Sequence, residues 1–141
     1  MIQRIQSLWL LLSALCAALI LFVPVFSGAA ADGLVKVFSI RENLILLLIV
    51  VLSIVIPFIN IFLFKNRGLQ KKLIIINMVL SVLTVVTEYF SVDKFKQQFG
   101  IAQGTWEISA ILPFFIILFL AFAFRGIRKD EKMLSEANRM R

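Results

Sequence analysis

Apolar residues in this chain come in long unbroken runs rather than in alternation. Residues 8–26 form a run of 19 without a charge, and 44–64 a run of 21 without a charge. Residues 73–90 form a run of 18 interrupted only by Glu88, and 108–124 a run of 17 without a charge. A hydrocarbon core about 30 Å thick is crossed by about 20 helical residues, within a range of about 17–25. The pattern therefore predicts four transmembrane helices. Lipid offers no hydrogen bonds to the backbone, so each span must satisfy its own, as a helix does. The stretch LILLLIVVL is apolar on every side, which excludes the polar–apolar alternation of a membrane β-barrel strand.

Composition removes the competing classes. Hydrophobic residues make up 61% of the 141 positions and charged residues 16%, against roughly 45–50% and roughly 25% in soluble domains. A soluble domain of this size has too much surface to hide so many apolar side chains, and a disordered chain carries far fewer. One Cys and no His leave no disulfide framework, few metal sites and no His-based catalysis. The expectation is no cofactor and no metal.

Charge sets the orientation. The N-terminal arm holds Arg4, the connection 65–72 holds Lys65, Arg67, Lys71 and Lys72 without an acid, and the tail 125–141 holds Arg125, Arg128, Lys129, Lys132, Arg139 and Arg141. The other two connections carry only Lys36 and Arg41, and Lys94 and Lys96. The basic excess at one end puts the N- and C-termini in the cytoplasm. Most of the +7 net charge then forms a rim that attracts anionic headgroups. Because the cations sit at span ends, nucleic acid is not an expected partner. The first run has a rival reading as a signal peptide, with Ala29–Ala31 as a cleavage site, but it is longer than the usual apolar region of about 7–15 residues. A retained anchor is the expectation.

Within the spans, Ser13, Ala14, Ala17 and Ala18 form small-xxx-small pairs that let helix backbones approach, inside the monomer or against a partner. Cys16 reads as a small buried hydrophobe. Pro57 removes the hydrogen bond to the Ser53 carbonyl, and Pro113 is expected to bend the fourth span in the same way at Ser109. Trp9, Tyr89 and Trp106 fall near the expected interfaces, where aromatic rings prefer to sit. Asn77, Ser81, Thr84 and Glu88 follow i, i+4, i+7 and i+11, one face of a helix. A polar stripe is costly against lipid, so it should face other helices. The expectation is an interhelical seam whose Glu88 lies near the outer interface and is solvated. On that reading Glu88→Gln leaves the fold intact. The competing reading is a site for an ion, proton or small solute.

Outside the spans, LVKVFSI and FGIAQGTWEI are candidate strands of a small cap, with Gly100 and Gly104 as turns. Gly68 suits a turn in KNRGLQKK. The tail RGIRKDEKMLSEANRMR reads as a helix continuing beyond the membrane, a short amphipathic C-terminal element lying on the surface. Arg128–Glu131 and Glu136–Arg139 are its expected i, i+3 pairs.

No nucleophile elbow, phosphate loop, zinc signature or paired intramembrane carboxylates appear. The start MIQRIQSLWLLLSA, the centre FLFKNRGLQKKLIIIN and the end IRKDEKMLSEANRMR resemble a family of small four-span membrane proteins of Bacteroidota, a domain of unknown function. The resemblance implies a bacterial inner-membrane location and four helices, and no activity. It points to Gln3, Arg4, 65–70, Asn77 and 129–141 as the family's own features. The reading is an all-α four-helix transmembrane bundle, a single integral membrane domain over 1–141. It would act as a non-catalytic accessory or scaffold subunit of a larger membrane complex. Its cytoplasmic contacts to lipid or other subunits would be Arg4, Lys65, Arg67, Lys71, Lys72, Arg125, Arg128, Lys129 and Lys132. The alternative is an oligomeric transporter using Asn77, Ser81, Thr84 and Glu88, and a weaker one is a lipid-modifying enzyme using Glu88 and Glu107.

Overall fold

The computed structural model describes residues 2–63 and 65–140, with side chains from Ile5 onward; Arg4 as a contact residue lies outside the described side chains. The protein is mostly helical. Four helices, α1 (Ile2–Ile20), α2 (Leu44–Phe62), α3 (Arg67–Phe99) and α4 (Leu112–Arg139), are joined by three short strands, β1 (Phe26–Ala29), β2 (Val35–Phe38) and β3 (Gly104–Trp106). Each helix packs on the next and α4 closes back on α1, a four-membered ring. Gln6 of α1 sits against Gly126 of α4 and Arg67 of α3 against Asp130 of α4. The start of α1, the α2–α3 turn and the later part of α4 therefore share one end of the bundle, and the strands lie at the other.

The helices are inside out by the standard of a soluble protein. On α3, Ile75, Val79 and Val82 are 50%, 55% and 51% exposed, while Asn77 and Ser81 are 0% and 1% exposed. Water would reverse that arrangement; hydrocarbon favours it. Among the described residues, three helical stretches are long and apolar enough to cross a membrane, Leu44–Phe62, Arg67–Phe99 and Ile108–Arg139. The apolar part of α1, Ile5–Ile20, is shorter.

The first predicted span, 8–26, is corrected at its end. Helix α1 stops at Ile20, and Phe26 already lies in a strand. Pro24 disfavours helix at the residue before it, and the Val25 N–H turns instead to the Phe38 carbonyl at 2.9 Å. Pro113 is also corrected: it stands in the first turn of α4, where its missing N–H is harmless, so it starts a helix rather than bending one. Pro57 does lie inside α2. The tail is not a separate surface helix but the unbroken continuation of α4 to Arg139.

Helix ends follow local chemistry. The Asn43 side chain accepts from the Ile45 and Leu46 N–H groups to start α2, and the Asn66 side chain accepts from Leu69 N–H to start α3. Gly100, at φ 61°, ends α3 in the left-handed region, which glycine enters without a Cβ penalty.

The three strands form one antiparallel sheet in the order β2-β1-β3. Phe26 faces both Phe38 and Trp106 in the register, and Gly28 faces Lys36 and Gly104. The expected cap therefore exists, but its two predicted strands do not touch: β1, whose Phe26 is read from sequence as the end of a span and whose other residues are read as a connection, lies between them. Phe26 is completely buried beneath the sheet, edge-on to Trp106 with ring centroids 5.7 Å apart and with the Lys96 ammonium 4.8 Å from its own centroid. A Cβ at Gly104 would overlap Phe26 Cζ and stand 2.7 Å from the Ser27 carbonyl oxygen. Gly104→Ala is therefore expected to cost about 1–3 kcal/mol through overpacking, read as a lower unfolding midpoint in mixed micelles, whereas Gly68→Ala, whose Cβ would meet only Asn66 Oδ1 at 3.6 Å, should cost less.

Candidate functional site

The α2–α3 interface carries a line of polar side chains. The buried face of α2 presents Ser53, Pro57 and Asn60; that of α3 presents Gln70, Asn77, Ser81, Thr84, Glu88 and Ser91. Near the basic end, Asn60 Nδ2 donates to the Gln70 carbonyl at 3.2 Å and Gln70 Nε2 donates to the Asn60 carbonyl at 3.0 Å. At the middle, Asn77 Nδ2 donates at 3.5 Å to the Ser53 carbonyl, the group that Pro57, four residues on, leaves without its helical donor. Ser81 and Thr84 donate back to the Asn77 and Leu80 carbonyls within α3. At the capped end, Asn43 Nδ2 donates to Ser91 Oγ at 2.7 Å.

All four predicted stripe residues thus turn inward, as their spacing implies. Glu88 differs in one respect. It is 2% exposed, not solvated, because α3 runs on to Phe99 and leaves it three turns inside the helix. Glu88 Oε1, Ser53 Oγ, Asn60 Oδ1 and Asn77 Oδ1 have no hydrogen-bond partner. Glu107 is engaged elsewhere, in the cap, where Ser27 Oγ donates to it at 2.7 Å. Sequence reasoning missed Gln70, Ser91 and the role of Asn43 in the seam. The stripe's own period contained the signal: seven residues back from Asn77 is Gln70, and three on from Glu88 is Ser91.

A cleft of about 370 Å³ opens above the seam at the capped end, lined in part by Glu42, Asn43, Ser91, Lys94 and Gln98. The Asn43–Ser91 pair belongs to its wall.

The basic end separates its cations into two sets. Arg67 pairs with Asp130 and Lys71 with Glu131, both at 2.8 Å and both partly shielded. These two bridges clasp α4 beyond the span to the start of α3. They replace the expected Arg128–Glu131 pair, and Glu136 lies 4.0 Å from Lys132 rather than pairing with Arg139. Lys65, Lys72, Arg125, Arg128, Lys129 and Lys132 are exposed, and the Arg128 guanidinium stands over the Phe124 ring at 5.2 Å. On α1, Ser13, Ala14 and Ala17 are buried within the bundle, so their close approach serves the monomer. Trp9 stacks on Phe119 at 5.9 Å.

The chain belongs to the family described as a domain of unknown function (DUF4293), which it matches over residues 2–140. No curated protein and no solved structure matches it.

Two substitutions separate the two jobs of Asn43. Asn43→Ala removes both a helix cap and a bond to Ser91, and is expected to cost about 1–2 kcal/mol. Ser91→Ala removes only the bond and should cost about 0.5–1.5 kcal/mol; chemical unfolding of the two variants gives the order.

Proposed function

We propose that this member of a family of unknown function is a four-span protein of the inner membrane of a bacterium of the Bacteroidota. Its termini and α2–α3 turn lie in the cytoplasm, and it serves as a non-catalytic accessory or scaffold subunit. The carrying observation is the division of cations at one end. Arg67 and Lys71 are spent on Asp130 and Glu131, whereas Lys65, Lys72, Arg125, Arg128, Lys129 and Lys132 are exposed. Exposed cations beside a bilayer attract anionic headgroups by about 1 kcal/mol each, and the same surface suits an acidic face on a larger membrane complex. The clasp fixes where α4 leaves the bundle, so the surface is presented in one geometry. Asn77, Ser81, Thr84 and Glu88 favour a second reading, an oligomeric transporter of ions or small solutes, because several of the seam's oxygens lack partners.

Purification in mild detergent at native expression is expected to retain a stoichiometric partner, and Lys65→Glu with Lys72→Glu and Lys129→Glu should release it while the bundle still folds. A clean monomer from the unaltered chain overturns the accessory role; solute flux in proteoliposomes would favour the second reading. Orientation has its own check. A Cβ at Gly68 meets only Asn66 Oδ1, at 3.6 Å, so Gly68→Cys on a Cys16→Ala background should fold. It should react with an impermeant maleimide only after the cytoplasmic side is opened; labelling of intact spheroplasts reverses the topology.

A further inference from the structure

Glu88 is the only charged residue within the four apolar runs, and its Oε1 has no partner. An isolated carboxylate in a low-dielectric interior is too costly to persist unless a cation neutralises it. The protein supplies no such cation from its own spans. Between 44 and 62 on α2 and between 112 and 124 on α4 there is no titratable side chain, and the apolar part of α1, Ile5–Ile20, offers only the Cys16 thiol. Of the charged groups at the capped end, Glu42 and Lys94 line the cleft; the others face elsewhere, Lys36 toward Asp32, Arg41 over the Phe22 ring, Lys96 over the Phe26 ring, Asp93 toward Gln97 and Glu107 toward Ser27.

Three oxygen-bearing side chains share this face of α3. Thr84 lies four residues before Glu88 and Ser91 three residues after it, each about one turn away, at about 6 Å and about 4.5 Å along the axis. All three are buried. Thr84 spends its proton on the Leu80 carbonyl and Ser91 accepts from Asn43, so both oxygens retain lone pairs. Ser91 is also part of the cleft wall, so the aqueous phase reaches to within one helical turn of the carboxyl.

We propose that Glu88 is the binding site of a small monovalent cation, H⁺ or Na⁺, exchanged with the capped side through the Asn43–Ser91 wall of the cleft. The site is independent of docking at the basic end. Binding does not require passage across the membrane, so it stands whether or not flux is found.

The test uses the full chain in lipid nanodiscs with dicyclohexylcarbodiimide, a lipid-soluble reagent. A protonated carboxyl adds across its C=N bond, and an oxygen-to-nitrogen acyl shift leaves a stable N-acylurea, with no atom lost. Peptide mapping should find the adduct at Glu88 and none there in Glu88→Gln. If H⁺ is the ligand, labelling falls about tenfold per pH unit beyond its midpoint and sodium has no effect. If Na⁺ is the ligand, sodium chloride protects Glu88 at fixed pH and potassium chloride does not. Ser91→Leu, which fills the wall, should slow the response to an outside pH or sodium jump severalfold while leaving the final extent unchanged. Absence of the Glu88 adduct from acidic to alkaline pH, or labelling indifferent to both pH and sodium, overturns the proposal. Equal response rates in Ser91→Leu overturn the route.

Discussion

Hydrocarbon around the bundle is the constraint from which the rest follows. In water a helix hides its apolar stripe; in lipid the apolar surroundings make no such demand, and the polar side chains are the ones that must be hidden. Helix α3 shows the inversion along its whole spanning length, with Ile75, Val79 and Val82 outward and Asn77, Ser81 and Thr84 inward. Once that face turns in, its neighbours must answer it. Helix α2 does so with Asn60 against Gln70 and with the Ser53 carbonyl against Asn77. Pro57 is therefore part of the seam: by leaving one helical acceptor open in α2, it provides an acceptor for a donor on α3 that lipid could not satisfy.

The cap solves a different problem with the same physics. Helix α1 ends at Ile20, yet the chain must return to the start of α2, and its backbone groups need partners on the way. The sheet supplies them. Its central strand β1 bonds outward on both sides, and Glu107 N–H reaches the Val25 carbonyl at 2.9 Å while Ala30 N–H reaches that of Leu34 at 2.9 Å. Such close pairing over a buried Phe26 leaves no room for side chains at Gly28 and Gly104, so these glycines are set by packing rather than by turn geometry.

Much of this is legible in the sequence because it rests on periodicity. The apolar runs give α2, α3 and α4, and the i, i+4, i+7, i+11 spacing gives the inward face of α3. What escaped rests on competition between local signals. Phe26, the first residue of FSGA, closes an apolar run, so hydropathy reads it as the end of a helix and the three residues after it as loop, but Pro24 just before it favours extended backbone and two strands pair with its edges. Pro113 looks like a kink because the run begins at 108, five residues before it; the 3-10 turn at Ile108–Ile111 shifts the helix start and turns the kink into a first-turn proline. Glu88 looks exposed because the third run ends at residue 90, yet the polar stretch SVDKFKQQF continues the helix above it. Run length marks where lipid ends, not where the helix does.

The same distinction explains the basic end. Helix α4 also outruns its apolar segment, and its continuation carries Asp130 and Glu131 to the start of α3. Sequence spacing alone pairs those acids with cations on their own helix, since i, i+3 neighbours are always available. A neighbouring helix held in place by the seam competes better, because the bundle has already ordered both side chains and the pair is partly shielded from water. The clasp thus depends on the seam: Asn60 and Gln70 set α3 against α2, and α3 in that position presents Arg67 and Lys71 to α4. What the clasp leaves over, the exposed cations at that end, is a surface fixed by the interior polar contacts and not only by the local charge count.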